Sequence, residues 1–254
     1  MPSPLEFMKT AARARLPEKA YRLLQRLTRW PPVGWVSFGG LRRMSPISRS
    51  YGFDRGLPID RYYIERFLTA HASDIRGRVL EIADDSYTRK FGGGRVTQSD
   101  VLHVVAGNPK ATIIADLTCA DHILSEAFDC AVVTQTLHLI YDIRAAIRTL
   151  RRILKPGGAL LTTFPGIVHI SRYDKDRWGD YWRFTTVSAQ RLFEEVFPAS
   201  HVTVETYGNL LSATALLHGL ASEELRQEEL DCCDPQYQVL LAVRAVKPVD
   251  YQQR

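Results

Sequence analysis

Residues 150–161, Leu150-Arg-Arg-Ile-Leu-Lys-Pro-Gly-Gly-Ala-Leu-Leu, decide how the rest of the chain is read. Ile143, Ala146, Ile147, Leu150 and Leu154 recur at helical spacing, so residues 143–154 form a helix with one apolar face. Lys155-Pro156-Gly157-Gly158 ends it, because proline cannot continue a helix and glycine supplies the turn. Ala159–Thr163 then reads as a short buried strand. Helices alternating with short apolar strands build a parallel sheet covered on both faces.

The alternation extends in both directions. Val79–Ile82, Val96–Ser99, Ala111–Ala115 and Cys130–Thr134 read as four earlier strands. A helix at about Ser188–Phe197, a strand at His201–Thr206, a helical stretch from about Leu210 and a last strand at about Gln238–Val246 follow. The expected organisation is a basic arm and linker at residues 1–57, an α/β domain at 58–248 that includes a cover helix at 58–70, and a tail at 249–254.

Composition narrows the class. The chain has 254 residues, 45% hydrophobic and 24% charged, which is ordinary for a globular protein. No apolar run approaches the ~20 residues that span a bilayer. Met1 to Lys19 lacks the apolar core of a signal peptide, and Cys119, Cys130, Cys232 and Cys233 form no CxxC pair. A reduced, cytoplasmic protein is expected. The net charge of +5 is uneven: residues 1–50 hold ten Lys/Arg against two Asp/Glu, and the remainder holds 23 against 26. Residues 18–30 carry Ala20, Leu23, Leu24, Leu27 and Trp30 on one helical face, with Lys19, Arg22, Arg26 and Arg29 mostly on the other. This is a surface helix with a solvated face or a peripheral membrane contact. No nucleic-acid-binding motif is present, so no specific nucleic-acid partner is expected.

The helix ending in LKPGG before an apolar strand, together with Phe128-Asp129-Cys130-Ala131-Val132-Val133, resembles the class I S-adenosylmethionine-dependent methyltransferases of the type 11 kind. The resemblance covers about two thirds of the chain. It implies a Rossmann-like, mostly parallel seven-stranded sheet with an antiparallel last strand, and S-adenosyl-L-methionine as cofactor. It also implies that Glu81 supports the cofactor's methionine end, that Asp116 and Leu117 face the adenine, and that Thr134 and Gln135 lie at the cofactor site. Asp100, 19 residues after Glu81, suits an acid that accepts from ribose hydroxyls.

One feature departs from the family. Its first loop reads GxGxG, whereas the matching positions here are Ala83, Asp85 and Tyr87. Either the loop binds the cofactor in an altered geometry, with Asp84 and Asp85 placing negative charge near the sulfonium, or the domain is a non-catalytic binding or scaffold protein. On the acceptor side, Tyr173, Trp178, Tyr181, Trp182 and Arg183 form an aromatic, charged run suited to a flat or sugar-like surface. His169 is the candidate for deprotonating an acceptor and His138 for lining its pocket. Tyr62 and Tyr63 are placed to close over the cofactor. No metal is expected. The expected reaction is methylation of an oxygen or nitrogen on a small molecule or glycan.

Overall fold

The computed structural model describes residues 17–20, 31 and 35–249. The chain forms two units, Met1–Ser45 and Pro46–Arg254. In the first, the described residues include a 3₁₀ turn at Gly39–Leu41. Residues 21–30, which carry most of the expected basic helix, lie outside the described residues. The second unit starts at Pro46 rather than at residue 58. Residues 46–57 join it because the amides of Ile47 and Ser48 donate to the His218 carbonyl at 2.8 and 3.1 Å.

The sheet order is β3-β2-β1-β4-β5-β7-β6. The strands are β1 (Gly77–Ile82), β2 (Val96–His103), β3 (Ile113–Ile114), β4 (Phe128–Thr134), β5 (Leu154–Pro165), β6 (Val202–Tyr207) and β7 (Leu240–Val246). Strands β1 to β5 pair in parallel, while β7 runs antiparallel to both β5 and β6. The helices are α1 (Ile59–Ala70), α2 (Ile143–Ile153), α3 (Arg172–Arg177), α4 (Thr186–Glu194), α5 (Leu210–His218) and α6 (Gln227–Asp231).

Neighbouring strand residues divide between two cores, as the two-residue period of a strand requires. Val79, Val132, Leu161 and Ala242 join the α1 and α5 side chains on one face. Leu80, Val133, Leu160 and Val243 join those of α2 and α4 on the other. Helix α1 buries Ile59, Tyr63, Ile64, Phe67 and Leu68, each contributing about 1.5–3 kcal/mol on removal from water. Helix α2 is capped by the Asp142 carboxylate, which accepts from the Ala145 amide at 3.0 Å.

Two boundaries differ from the sequence reading. Strand β2 continues four residues past Ser99. The proline and glycines after α2 do not form a separate turn: β5 starts at Leu154, and its register with β4 jumps from Phe128↔Leu154 to Cys130↔Ala159. Residues 155–158 are therefore an excursion within the strand. Gly158 is required there, since a Cβ would lie 2.9–3.2 Å from three backbone carbonyl oxygens.

Candidate active site

The sheet order reverses between β1 and β4, and ligands bind outside the carboxyl ends of the strands at such a point. There the structure has a cavity of about 1070 Å³. Each strand contributes its end: Ala83 and Asp84 after β1, His103 and Val104 after β2, Asp116 and Leu117 after β3, Thr134 and Gln135 after β4.

The loop without glycines is held by its own strand. The buried Glu81 carboxylate accepts from the amides of Tyr87 and Thr88 at 3.2 and 2.7 Å. These amides lead into a π-helical turn at Thr88–Gly92. Burial pushes the Glu81 carboxyl up to about 7, against those hydrogen bonds. Ala83 adopts the left-handed conformation, φ +70°, that a glycine would take freely. Its amide donates to Leu102 at 3.0 Å, and its carbonyl accepts from Asn108 Nδ2 at 2.6 Å. The Asp84 carboxylate accepts from the amide and hydroxyl of Ser86; despite burial, these bonds with Lys110 and Arg61 hold it below its ordinary value. Asp85, expected in the site, is not on the cavity wall. It turns back to pair with Arg89 one helical turn on, at 2.6 Å. Tyr87 forms part of the wall, its ring 6.0 Å from Phe91, and the cavity stays open.

Asp100 also falls outside the site. It lies inside β2 opposite Leu80, three residues short of the strand end. Its buried carboxylate accepts from Arg78 Nε at 2.7 Å, the Thr112 hydroxyl at 2.9 Å and Gln98 Nε2 at 3.0 Å. The strand-end residue is His103, whose ring meets Trp178 edge to face at 5.7 Å. Asp116 is on the wall as expected. Its Oδ1 accepts from the amide and hydroxyl of Thr118, both at 2.8 Å.

A second chamber of about 330 Å³ adjoins the first and shares Phe53, Arg61, Gln135, Tyr173 and Asp174 with it. Both candidate histidines line this chamber and not the larger one. Burial pushes His138 down to about 4, and burial with the nearby Arg183 holds His169 below its ordinary value. In each ring Nδ1 is shut away with no partner among the described residues, which leaves Nε2 as the available nitrogen. The Tyr51 ring stacks on His169, centroids 4.1 Å apart. Arg183 and Asp180 form a two-bond fork at 2.5 and 2.9 Å.

The aromatic run splits. Tyr173, Trp178 and Tyr181 line the large cavity and Arg183 the smaller one. Trp182 lines neither: its Nε1 donates to the Ile140 carbonyl at 3.1 Å and its ring stacks on Tyr141. Tyr62 and Tyr63 do not close over the site. The Tyr62 hydroxyl donates to Asp231 at 2.7 Å, while Tyr63 is fully buried and donates to the Leu230 carbonyl at 3.1 Å. Sequence reasoning missed Arg61, next to those tyrosines, and Tyr51. The backbone marks Tyr51: among the described residues four non-glycines have positive φ, and Tyr51 (+58°), Ala83 (+70°) and Gln135 (+45°) all line the cleft. Such strain persists where surrounding structure enforces it, commonly at functional sites.

Residues 61–162 match the family model described as a methyltransferase domain, a span that includes the strand ends around the large cavity. These residues are similar to a methyltransferase domain. The methyl donor of such domains is S-adenosyl-L-methionine. No curated protein matches the chain. Among solved structures, the chain is similar to a phosphoethanolamine N-methyltransferase 2 of Haemonchus contortus bound to phosphomonomethylethanolamine and S-adenosylhomocysteine, at 15% identity and TM-score 0.46. The match covers 68% of this chain and 49% of that one, so the chain spans about half the length of that enzyme. It is also similar to the N-methyltransferase NodS of Bradyrhizobium japonicum, at 17% identity over 80% and 95% of the two chains with TM-score 0.48. A methyltransferase of Archaeoglobus fulgidus has 10% identity, coverage of 74% and 94%, and TM-score 0.49.

Proposed function

We propose that this methyltransferase domain is catalytic and transfers a methyl group from S-adenosyl-L-methionine to an oxygen or nitrogen of a small molecule or sugar-containing acceptor. The observation that carries the reading is the two-chamber cleft: the large cavity at the ends of four strands shares wall residues with a smaller chamber lined by His138 and His169.

The walls suit the cofactor. At about 1070 Å³ the cavity is at the upper end of the ~300–1,000 Å³ usual for ligand sites. Asp84 and Asp116 on its wall give the sign of charge that attracts a sulfonium and an amino group. When bound, the cofactor supplies a methyl already activated by the sulfonium. The protein's own work is positioning, exclusion of water and removal of one proton. Asp116 and Leu117 would hold the nucleoside and Asp84 the methionine end, while Gln135, on the wall of both chambers, sits between cofactor and acceptor. His169 Nε2 would accept the acceptor's proton as the new bond to the methyl forms. His138, pushed further down, remains neutral and serves as a hydrogen-bonding wall.

Calorimetric titration with S-adenosylhomocysteine tests the reading. Micromolar affinity is expected for the native chain, with a loss of about tenfold, or ~1.4 kcal/mol, in Asp116→Ala. Absence of binding at millimolar ligand would overturn it in favour of a non-catalytic domain.

A further inference from the structure

We propose that the smaller chamber is the acceptor subsite and that it selects a hydroxyl-bearing ring without negative charge over an anionic one. This rests on the methyltransferase reading above and adds to it the chemical class of the acceptor.

The chamber's charges come first. Three carboxylates line it, Asp60, Asp174 and Asp180, against two guanidiniums, Arg61 and Arg183. Arg183 is locked in its fork with Asp180, while Arg61 stands 3.9 Å from Asp60, an ion pair without a hydrogen bond. Among the described residues no lysine lines the chamber. A phosphate or carboxylate would therefore face an excess of one negative charge among the lining groups.

The uncommitted polar groups come next. Gln135 offers an amide with both donors and an acceptor, and each neutral imidazole offers one nitrogen that donates or accepts according to tautomer. An anion only accepts and would leave the Asp174 oxygens unmatched. Hydroxyls do both, so they can match a mixed set. The remaining walls are rings and aliphatic side chains, among them Tyr51, Phe53 and Val168. They give a flat apolar surface on which a ring can rest. About 330 Å³ is at the lower limit for a ligand pocket, the size of a single ring rather than an extended molecule.

The strained backbone shows that the chamber is built rather than left over. Tyr51, a bulky residue at φ +58°, faces His169, and Gln135 at φ +45° stands at the junction of the two chambers.

The test uses the full chain saturated with S-adenosylhomocysteine and three ligands with one ring and different charge: methyl glucopyranoside, glucuronate and glucosamine. Saturation-transfer NMR and calorimetry read their affinities. The neutral ring and glucosamine are each expected to bind at least tenfold more tightly than glucuronate. Asp174→Asn is expected to narrow the gap to glucuronate at least threefold. Val168→Trp, or Val168→Phe if the larger ring unfolds the chain, is expected to abolish ring binding while S-adenosylhomocysteine affinity stays within threefold. Glucuronate binding equal to or tighter than that of either other ring, ring binding that survives the filled chamber, or no ring binding at all beside normal S-adenosylhomocysteine binding overturns the inference and leaves the methyltransferase reading standing. Failure to bind S-adenosylhomocysteine overturns both.

Discussion

Glu81 and His138 are buried on two sides of the cleft and are displaced in opposite senses, which yields a test by pH. Glu81 moves from 4.5 to about 7 and His138 from 6.5 to about 4. Between pH 4.5 and 6.5 the folded chain holds the Glu81 proton while the unfolded chain has released it, so Glu81 makes stability fall as pH rises. In the same window the unfolded chain protonates His138 and the folded chain does not, so His138 makes stability rise. Each slope is about 1.4 kcal/mol per pH unit, and the two nearly cancel in the native protein. Single substitutions remove the cancellation. Relative to the native chain, Glu81→Gln is expected to lose about 2 kcal/mol more at pH 4.5 than at pH 6.5, while His138→Gln is expected to gain about as much more at pH 4.5 than at pH 6.5. Urea denaturation of the three proteins at both pH values measures this, and comparison with the native chain removes every other titrating group. A change below about 1 kcal/mol across the window for either variant would refute the reasoning, because that group would then ionise in the fold as it does in water.

Three further outcomes follow from the site. Asp100→Ala is expected to cost about 3 kcal/mol in urea denaturation, by leaving Arg78 and Thr112 without their buried partner, yet to leave S-adenosylhomocysteine affinity unchanged in calorimetry. Ala83→Gly is expected to raise stability by about 0.5 kcal/mol, since release of left-handed strain, ~1–2 kcal/mol, exceeds the added freedom of the unfolded chain, ~0.4–1 kcal/mol; a loss of more than 0.5 kcal/mol in the same assay would contradict the φ of +70°. His169→Gln is expected to lower kcat by about 10²–10⁴ with the acceptor found by the ring panel, and to flatten the acid limb of the pH–rate profile while cofactor affinity holds.

The fold was readable because its decisive features are local. The apolar face of α2 and the short apolar strands are each set by neighbouring residues, and the two-residue strand period survives in both cores. The site was less readable because strand ends decide it, and those depend on pairing across the sheet. Val96–Ser99 looks like a complete strand, and the polar Asp100 reads as its end. Only the continuous pairing of β2 with β1 as far as Leu102 moves that end on to His103. Asp85 was misplaced for a similar reason: a carboxylate in a loop reads as free until its partner four residues on is seen. Asp84, Asp116, Thr134 and Gln135 stand on the cavity wall because the loops that carry them follow directly from their strands. Tyr51 and Arg61 precede the sheet in sequence, and no spacing rule connects them to residues 138 and 169.

The bracing of the first loop by Glu81 has a consequence for binding. A glycine hairpin wraps a nucleoside by giving up its freedom on contact, at ~1–2 kcal/mol per residue fixed. Here that freedom was surrendered during folding, when Tyr87 and Thr88 fastened their amides to one carboxylate. The ligand then meets a finished mould, and little of its affinity is spent on ordering the chain. The same rigidity removes tolerance: analogues with an altered sulfonium side chain, which a supple hairpin could follow, have no loop that will move to receive them.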